Sequence, residues 1–287
     1  MIVLIYGSKG WIGNMFIEIL KMHSITYVEA VARADDMKHV SEEVNKVRPT
    51  HIISFIGRTH GKDNSTIDYL EHKDKLFENV RDNLYAPYVL SHVATQYNAH
   101  YTYLGTGCIF KYDEMHLLGS EETGFVEDDM PNFFGSSYSV VKGFTDRMMH
   151  SMDVLNLRIR MPITNIRNPR NFITKITTYK KICSIPNSMT VLSELLPYIL
   201  NMMLHKITGT INLTNPGLIS HNEILTMYKE LVDPNFTWEN FTPEEQSKIL
   251  KADRSNNYLD TTKLMTLYPN IMNIKESIRK CLLSYRP

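Results

Sequence analysis

Three glycines near the amino terminus have the spacing of a phosphate-binding loop. Gly7, Gly10 and Gly13 follow the apolar run Ile2–Tyr6 and precede a segment with one apolar face. Glycine permits a tight turn at the first position, close approach of phosphate at the second and close helix–strand packing at the third. The helix amino terminus would then face a pyrophosphate, although a glycine-rich turn that binds nothing is the alternative. The candidate cofactor-binding residues of this segment are Gly7, Lys9, Gly10, Trp11, Ile12 and Gly13.

A second group of residues is suited to proton transfer. Tyr138 and Lys142 are one helical turn apart and share a face, so the ammonium group can lower the pKa of the phenol from its free value of about 10. Thr106 follows the strand run Tyr101–Leu104 and could hydrogen-bond a substrate oxygen. Reduction of a ketone needs a hydride on carbon and a proton on oxygen, so this set predicts a reductase with a nicotinamide cofactor whose ribose Lys142 also holds. The alternative is a surface tyrosine and lysine beside a capping serine.

Cys108 stands two residues after Thr106. A plain alcohol dehydrogenase needs no thiol at this place, so the cysteine indicates a second reaction in the same pocket. The alternative is a small buried residue, because free cysteines are among the most buried types.

The choice of cofactor depends on the residue at the end of the second predicted strand. Arg33 occupies that place, suits a ribose 2′-phosphate and favours NADPH over NADH. Asp35 and Asp36 follow closely, so an ion pair in solvent is the alternative. Asn83, near a predicted break in a long helical region, is expected to shape the cofactor cleft, with an ordinary helix break as its other interpretation.

Apolar runs alternate with helix-length segments through the first half of the chain, which predicts βαβ crossovers. The expected fold is α/β, a Rossmann-type doubly wound parallel sheet with a smaller C-terminal substrate-binding lobe. Residues 1–160 form the predicted NADP-binding domain, and a strand near 209–214 is expected to rejoin its sheet. Residues 161–287 form most of the predicted substrate-binding lobe.

Composition excludes several classes of protein. The 287 residues carry 31 basic and 31 acidic side chains, which argues against a nucleic-acid surface or a polybasic membrane anchor. The three cysteines lack C-x-x-C spacing, so neither a disulfide framework nor a metal site is expected. No run reaches the roughly 20 apolar residues of a membrane span, and a strand begins at once without a signal-peptide pattern. These features predict a cytoplasmic protein.

Taken together, the residues resemble the extended short-chain dehydrogenases/reductases. The motifs that carry this resemblance are Gly7-x-x-Gly-Trp-Ile-Gly13, Thr106-Gly-Cys-Ile-Phe110, Tyr138-x-x-x-Lys142 and Arg254-Ser-Asn-Asn-Tyr-Leu-Asp260. More closely, the chain resembles the bifunctional UDP-4-keto-6-deoxy-glucose 3,5-epimerase/4-reductases of UDP-L-rhamnose synthesis, as in the C-terminal part of plant rhamnose synthases. The more selective stretches are Ala99–Gly119, Pro131–Lys142, Arg158–Pro162, Asn168–Lys175, Ile185–Thr190 and Thr214–Gly217. Arg58–Tyr69 departs most from the family.

The resemblance implies a two-part reaction on a UDP-linked 4-keto-6-deoxy sugar. The keto group acidifies the protons on C3 and C5, and Cys108 and Lys175 match the family's positions for the pair that removes and returns them. Positive charge near a cysteine stabilises its thiolate, and Lys175 would supply that charge. NADPH would then reduce C4 while Tyr138 delivers a proton. The sequence leaves open which of Cys108 and Lys175 acts as base, and whether UDP or dTDP is preferred.

The nucleotide half of the substrate needs cationic and polar contacts. Arg254 is the expected diphosphate contact, because a guanidinium fork matches phosphate oxygens. Asn168, Arg170 and Asn171 are candidates for the same cleft, although Arg170 could equally be a surface charge. The resemblance also implies a homodimer built through the long mid-chain helices.

Two related functions fit the sequence less well. A 4,6-dehydratase would need an acidic pair after Thr106, where this chain has Gly107 and Cys108. A 4-epimerase would need no thiol and would retain its cofactor. Two alternatives stay open: a nucleotide-sugar 4-keto reductase without epimerase activity, should Cys108 be structural, and a non-catalytic NADP-binding sensor or scaffold.

Overall fold

The structure is a computed structural model that describes residues 1–61 and 66–286. The sequence departs most from the family at Arg58–Tyr69. Residues 62–65 of that stretch lie outside the described residues.

The central element is a six-stranded sheet with the order β2-β1-β3-β4-β5-β9. The pairs β1–β2, β1–β3 and β3–β4 are parallel. Its strands are β1 (Ile2–Tyr6), β2 (Thr26–Glu29), β3 (His51–Ser54), β4 (His100–Thr106), β5 (Leu155–Ile159) and β9 (Gly209–Asn212). The strand order reverses direction between β1 and β3, and nucleotides bind at such a switch point in open α/β sheets. The Rossmann-type α/β fold predicted from the sequence is confirmed.

Helices connect these strands. The crossovers of the sheet are α1 (Trp11–Met22), α2 (Met37–Val47), α3 (Leu76–Val80), α4 (Ala86–Gln96) and α5 (Ser137–His150). Two 3₁₀ segments, Ile67–Glu71 and Lys73–Lys75, precede α3, and a π-helical turn, Arg81–Tyr85, joins α3 to α4. This turn lies where the sequence predicts a break near Asn83, and such turns are frequent at functional sites.

Further short strands and helices complete the described chain. The strands are β6 (Pro162–Ile163), β7 (Lys181–Ile182), β8 (Thr190–Val191) and β10 (Glu239–Asn240), which pair as β6–β8 and β7–β10. The helices are α6 (Phe172–Ile176), α7 (Leu192–Leu204), α8 (His221–Leu231), α9 (Pro243–Ser247), α10 (Thr262–Leu267) and α11 (Ile274–Leu283).

The described residues divide into two compact units that alternate along the chain. The first unit contains residues 1–106, 136–158 and 196–211, and the second contains 107–135, 159–195 and 212–287. The division of the chain at residue 160 stays a prediction.

Each unit has its own hydrophobic core. In the first, β1, β3 and β4 pack apolar side chains against α2 and α4, including Leu4, Val44 and Val93. In the second, α6, α8 and α11 bury side chains such as Ile173, Leu225 and Ile278. Among the residues that the structure describes, no helix has both the length and the apolar composition needed to cross a membrane.

Candidate functional site

The loop between β1 and α1 has the geometry that its glycines predict. Gly7 adopts a φ of +80°, and a Cβ placed there would lie 3.0 Å from the backbone carbon of Phe55. A Cβ on Gly13 would lie only 2.3 Å from the Gly7 carbonyl oxygen. Gly10 caps α1, its N–H donates to the Gly7 oxygen at 3.0 Å, and it offers the helix no side-chain cap. The first N–H groups of α1 therefore have no side-chain cap at Gly10, which suits a phosphate as their acceptor.

Arg33 follows β2 and is largely exposed. One guanidinium nitrogen lies 3.0 Å from Asp35, while Asp36 caps α2 by accepting from the His39 N–H. Asp35 also lies 3.8 Å from Nε of Arg81. The structure thus contains the ion pair that was the alternative interpretation of Arg33, and it places a second guanidinium beside the same carboxylate. Lys9 is exposed and Trp11 and Ile12 are half-buried at the start of α1.

Asn83 is completely buried in the π-helical turn. Its Oδ1 accepts from the Arg58 N–H at 2.9 Å, and its Nδ2 donates to the Arg58 carbonyl at 2.8 Å and to Oδ1 of Asn79 at 2.9 Å. Nδ2 of Asn79 in turn donates to Oγ of Ser137 at 2.9 Å. The network ties the segment after β3 to the first residue of α5, so Asn83 fixes these two segments relative to each other.

The predicted proton donors lie together in the first unit. Tyr138 and Lys142 occupy the first two turns of α5, which begins after Ser136, whose Oγ accepts from the Ser139 N–H at 3.0 Å. Both side chains are buried, as is Thr106 at the end of β4. A lysine kept almost out of water beside a tyrosine is not a surface pair, so the structure disfavours the alternative of a surface tyrosine and lysine.

Lys142 also has a partner that the sequence analysis missed. Its Nζ donates a short hydrogen bond to the hydroxyl of Tyr103 and lies 4.5 Å from the centroid of the same ring. Tyr103 is on β4 and buried. The available signal was weak: an inward-facing strand tyrosine needs a polar partner, but its spacing from Lys142 follows no motif.

Cys108 lies in the second unit and is partly exposed. The carbonyl of the preceding Gly107 accepts from the Arg160 guanidinium at 3.0 Å and from Nδ2 of Asn257 at 2.9 Å. Burial lowers the pKa of Arg160, and the nearby Cys108 and Tyr112 oppose that shift. A buried cation therefore stands close to Cys108, and the sequence analysis did not single it out.

Lys175 lies on the short helix α6 and is half-buried. Burial lowers the pKa of its ammonium group, and the neighbouring Arg170 and Arg254 lower it further. A lysine with a lowered pKa exchanges protons more readily near neutrality. Three cationic side chains thus lie close enough to interact, which favours an anionic ligand.

The remaining predicted substrate residues differ in their surroundings. Asn171 is fully buried: its Oδ1 accepts from the Ile173 N–H, and its Nδ2 donates to the carbonyls of Thr164 and Ile166. It caps α6, the helix that carries Lys175, and these hydrogen bonds occupy its side-chain amide; its role as a substrate contact stays a prediction. Oδ1 of Asn168 accepts from the N–H of Arg170 at 2.9 Å, and the Arg170 side chain is exposed.

Arg254 lies beside a cavity of about 320 Å³ in the second unit. One of its guanidinium nitrogens donates to the Ala252 carbonyl at 2.7 Å, which holds the side chain against the cavity wall. The wall also includes Ile185, Leu250 and Asn256.

Comparison with known proteins decides the family. Protein L780 of Acanthamoeba polyphaga mimivirus is 57% identical over 279 residues, which cover 96% of both proteins. A bifunctional dTDP-4-dehydrorhamnose 3,5-epimerase/dTDP-4-dehydrorhamnose reductase of Arabidopsis thaliana is 45% identical over 280 residues, 96% of this chain and 91% of that protein. The chain belongs to this family of bifunctional epimerase/reductases. The family resemblance noted in the sequence is confirmed.

Solved structures agree with that assignment. The crystal structure of the L780 UDP-rhamnose synthase has a TM-score of 0.96 at 55% identity and covers 99% of both chains. A dTDP-4-dehydrorhamnose reductase of Bacillus anthracis, solved in complex with NADP, has a TM-score of 0.76 at 16% identity over 98% of both chains. At that identity the likeness shows the fold alone. No family model matches the chain.

Proposed function

We propose that this protein converts UDP-4-keto-6-deoxy-glucose to UDP-L-rhamnose, by 3,5-epimerisation followed by NADPH-dependent reduction of the 4-keto group. The observation that carries the proposal is that Tyr138 and Lys142 are both buried on one helix, in a chain that belongs to the epimerase/reductase family. A sensor or scaffold has no need for a lysine held out of water beside a phenol, so we favour an enzyme.

In the first unit, the residues support binding and reduction. The cradle made by Gly7, Gly10 and Gly13 fits a pyrophosphate, because side chains at Gly7 and Gly13 would meet backbone atoms. NADPH, when bound, supplies the hydride that reduces C4. Lys142 would hold the nicotinamide ribose, and its positive charge would make the Tyr138 phenol a better proton donor to the developing alkoxide.

In the second unit, Cys108 and Lys175 exchange the protons on C3 and C5. The buried guanidinium of Arg160 lies near Cys108 and places a positive charge beside this part of the proposed site. The lowered pKa of Lys175 makes its ammonium group a readier proton donor and its amine easier to form than in an exposed lysine. One group removes each proton and the other returns it to the opposite face, so each carbon is inverted.

The two arginines that neighbour Lys175, Arg170 and Arg254, suit the nucleotide diphosphate. Arg254 is the proposed phosphate contact, since its fork presents paired donors. Arg170 is exposed and contributes long-range attraction rather than a fixed hydrogen bond.

The proposal is tested by following absorbance at 340 nm with UDP-4-keto-6-deoxy-glucose and identifying the product by NMR. We expect stoichiometric loss of NADPH and formation of UDP-L-rhamnose. A product reduced at C4 with unchanged C3 and C5 would leave the alternative of a 4-keto reductase without epimerase activity. No NADPH consumption with either the UDP or the dTDP sugar would overturn the proposal.

The preference for NADPH is tested through Arg33. Replacing it with glutamine (Arg33→Gln) removes a charge-assisted contact to the 2′-phosphate, so the KM for NADPH should rise about tenfold while that for NADH stays unchanged. Lys38→Gln, an exposed charge on α2, is the matched control. Equal effects on both cofactors would show that Arg33 does not read the 2′-phosphate.

A further inference from the structure

The ammonium group of Lys142 is held by the hydroxyl of one buried aromatic side chain. Tyr103 accepts a hydrogen bond from Nζ through its hydroxyl, and its ring lies 4.5 Å from the same nitrogen. Lys142 is 4% exposed and Tyr103 is 1% exposed, so water does not screen either contact.

We propose that Tyr103 is a positioning residue for the reduction, which fixes the ammonium group of Lys142, the residue that would hold the nicotinamide ribose. This inference rests on the proposed function, since it assigns Lys142 to the cofactor. Tyr103 acts through Lys142 and does not itself touch substrate.

A phenol suits this task because it stays neutral. Burial raises the pKa of Tyr103 well above its ordinary value of about 10, and the nearby Tyr138 adds to the rise. A neutral acceptor holds the ammonium group and leaves its whole charge to act on Tyr138, whereas a carboxylate would cancel it.

Asp146, one helical turn beyond Lys142, forms an ion pair with another cation, Arg158. Asp146 accepts from Nε of Arg158 at 2.9 Å and from Nη2 at 2.7 Å, and it also accepts from Asn156 at 2.9 Å. Both members of this ion pair are buried. The charge on Asp146 is therefore compensated by Arg158, which limits its pull on Lys142.

The test is a graded pair of substitutions. Tyr103→Phe removes the hydroxyl and keeps the ring, while Tyr103→Met also removes the aromatic face. We expect the dissociation constant for NADPH, measured by fluorescence, to rise about threefold and then about tenfold. The rate of reduction should fall by about tenfold in Tyr103→Phe, with a larger primary isotope effect from 4-deuterated NADPH because hydride transfer becomes more fully rate-limiting.

A double-mutant cycle separates positioning from general damage. In a Lys142→Ala background, Tyr103→Phe should have no further effect on NADPH binding, because the group on which it acts is gone. Tyr101→Phe is the matched control, since Tyr101 lies two residues earlier on the same face of β4 and is equally buried. Thermal unfolding identifies a variant that is simply misfolded.

Two failures are distinguishable in this design. A wild-type protein that binds NADPH but reduces no 4-keto sugar refutes the proposed function. Retention of wild-type NADPH affinity and isotope effect in folded Tyr103→Phe, or an equal loss with and without Lys142, overturns the role of Tyr103. If Tyr103→Phe does not fold, Tyr103→Met carries the same comparison.

Discussion

Replacing Gly13 with alanine would test the phosphate loop directly. The new Cβ would lie 2.3 Å from the Gly7 carbonyl oxygen, 3.0 Å from the Gly7 carbonyl carbon and 3.1 Å from Cα of Ser8. Real Cβ atoms essentially never come within 3.0 Å of such neighbours, so the backbone of the loop must move away by most of an ångström. A misplacement of about 1 Å costs on the order of 10²-fold in interactions that depend on positioning.

We therefore expect Gly13→Ala to weaken NADPH binding by about 30- to 100-fold, because the loop that should hold the pyrophosphate would be displaced by a comparable distance. Titration by fluorescence or calorimetry measures the change, and thermal unfolding of the free protein checks that the fold persists. Gly57→Ala is the matched control, because its Cβ would meet only Oδ1 of Asn83 at an ordinary 3.6 Å. An affinity for NADPH within twofold of wild type in Gly13→Ala would show that the pyrophosphate does not lie on this loop.

Three further predictions concern stability and assembly. Asp146→Asn leaves the buried Arg158 guanidinium without its carboxylate and should lower the free energy of unfolding by about 3–5 kcal/mol, as measured by urea denaturation; an unchanged midpoint would contradict this. Burial lowers the pKa of His51 from 6.5 to about 4, so the unfolded chain binds the proton first and stability should fall as the pH drops from about 6.5 to 4; His51→Gln should flatten that slope. Phe77 and Phe144 are 73% and 65% exposed on α3 and α5, so Phe77→Asp with Phe144→Asp should convert the expected homodimer to a monomer in light scattering, and a monomeric wild type would refute the dimer.

The sheet and its loop could be predicted because their signals are local. The run Ile2–Tyr6 is apolar enough to be a buried strand, and the glycines behind it lie in one short segment. Tyr138 and Lys142 could be predicted to act together because residues four positions apart in a helix lie on the same face. In these cases, neighbours in sequence are also neighbours in space.

The contacts that tune the candidate groups could not be predicted in the same way. Tyr103 meets Lys142 across 39 residues, and Arg160 meets Gly107 across 53. No spacing encodes such pairs, since they depend on how strands are ordered in the sheet and on which loops return to it. For Asn171 the sequence predicted a substrate contact from its place in a selective motif, and the structure shows a buried residue that caps α6.

The central claim is that one protein performs two reactions with separate residues. The most direct measurement incubates it with UDP-4-keto-6-deoxy-glucose and NADPH in D₂O and records NMR spectra of the product. Our account predicts deuterium at C3 and C5 in the wild type, no deuterium with Cys108→Ala, and continued exchange without reduction in Tyr138→Phe. Consumption of NADPH by the wild type without deuterium at either carbon would contradict the account and reduce the protein to a 4-keto reductase.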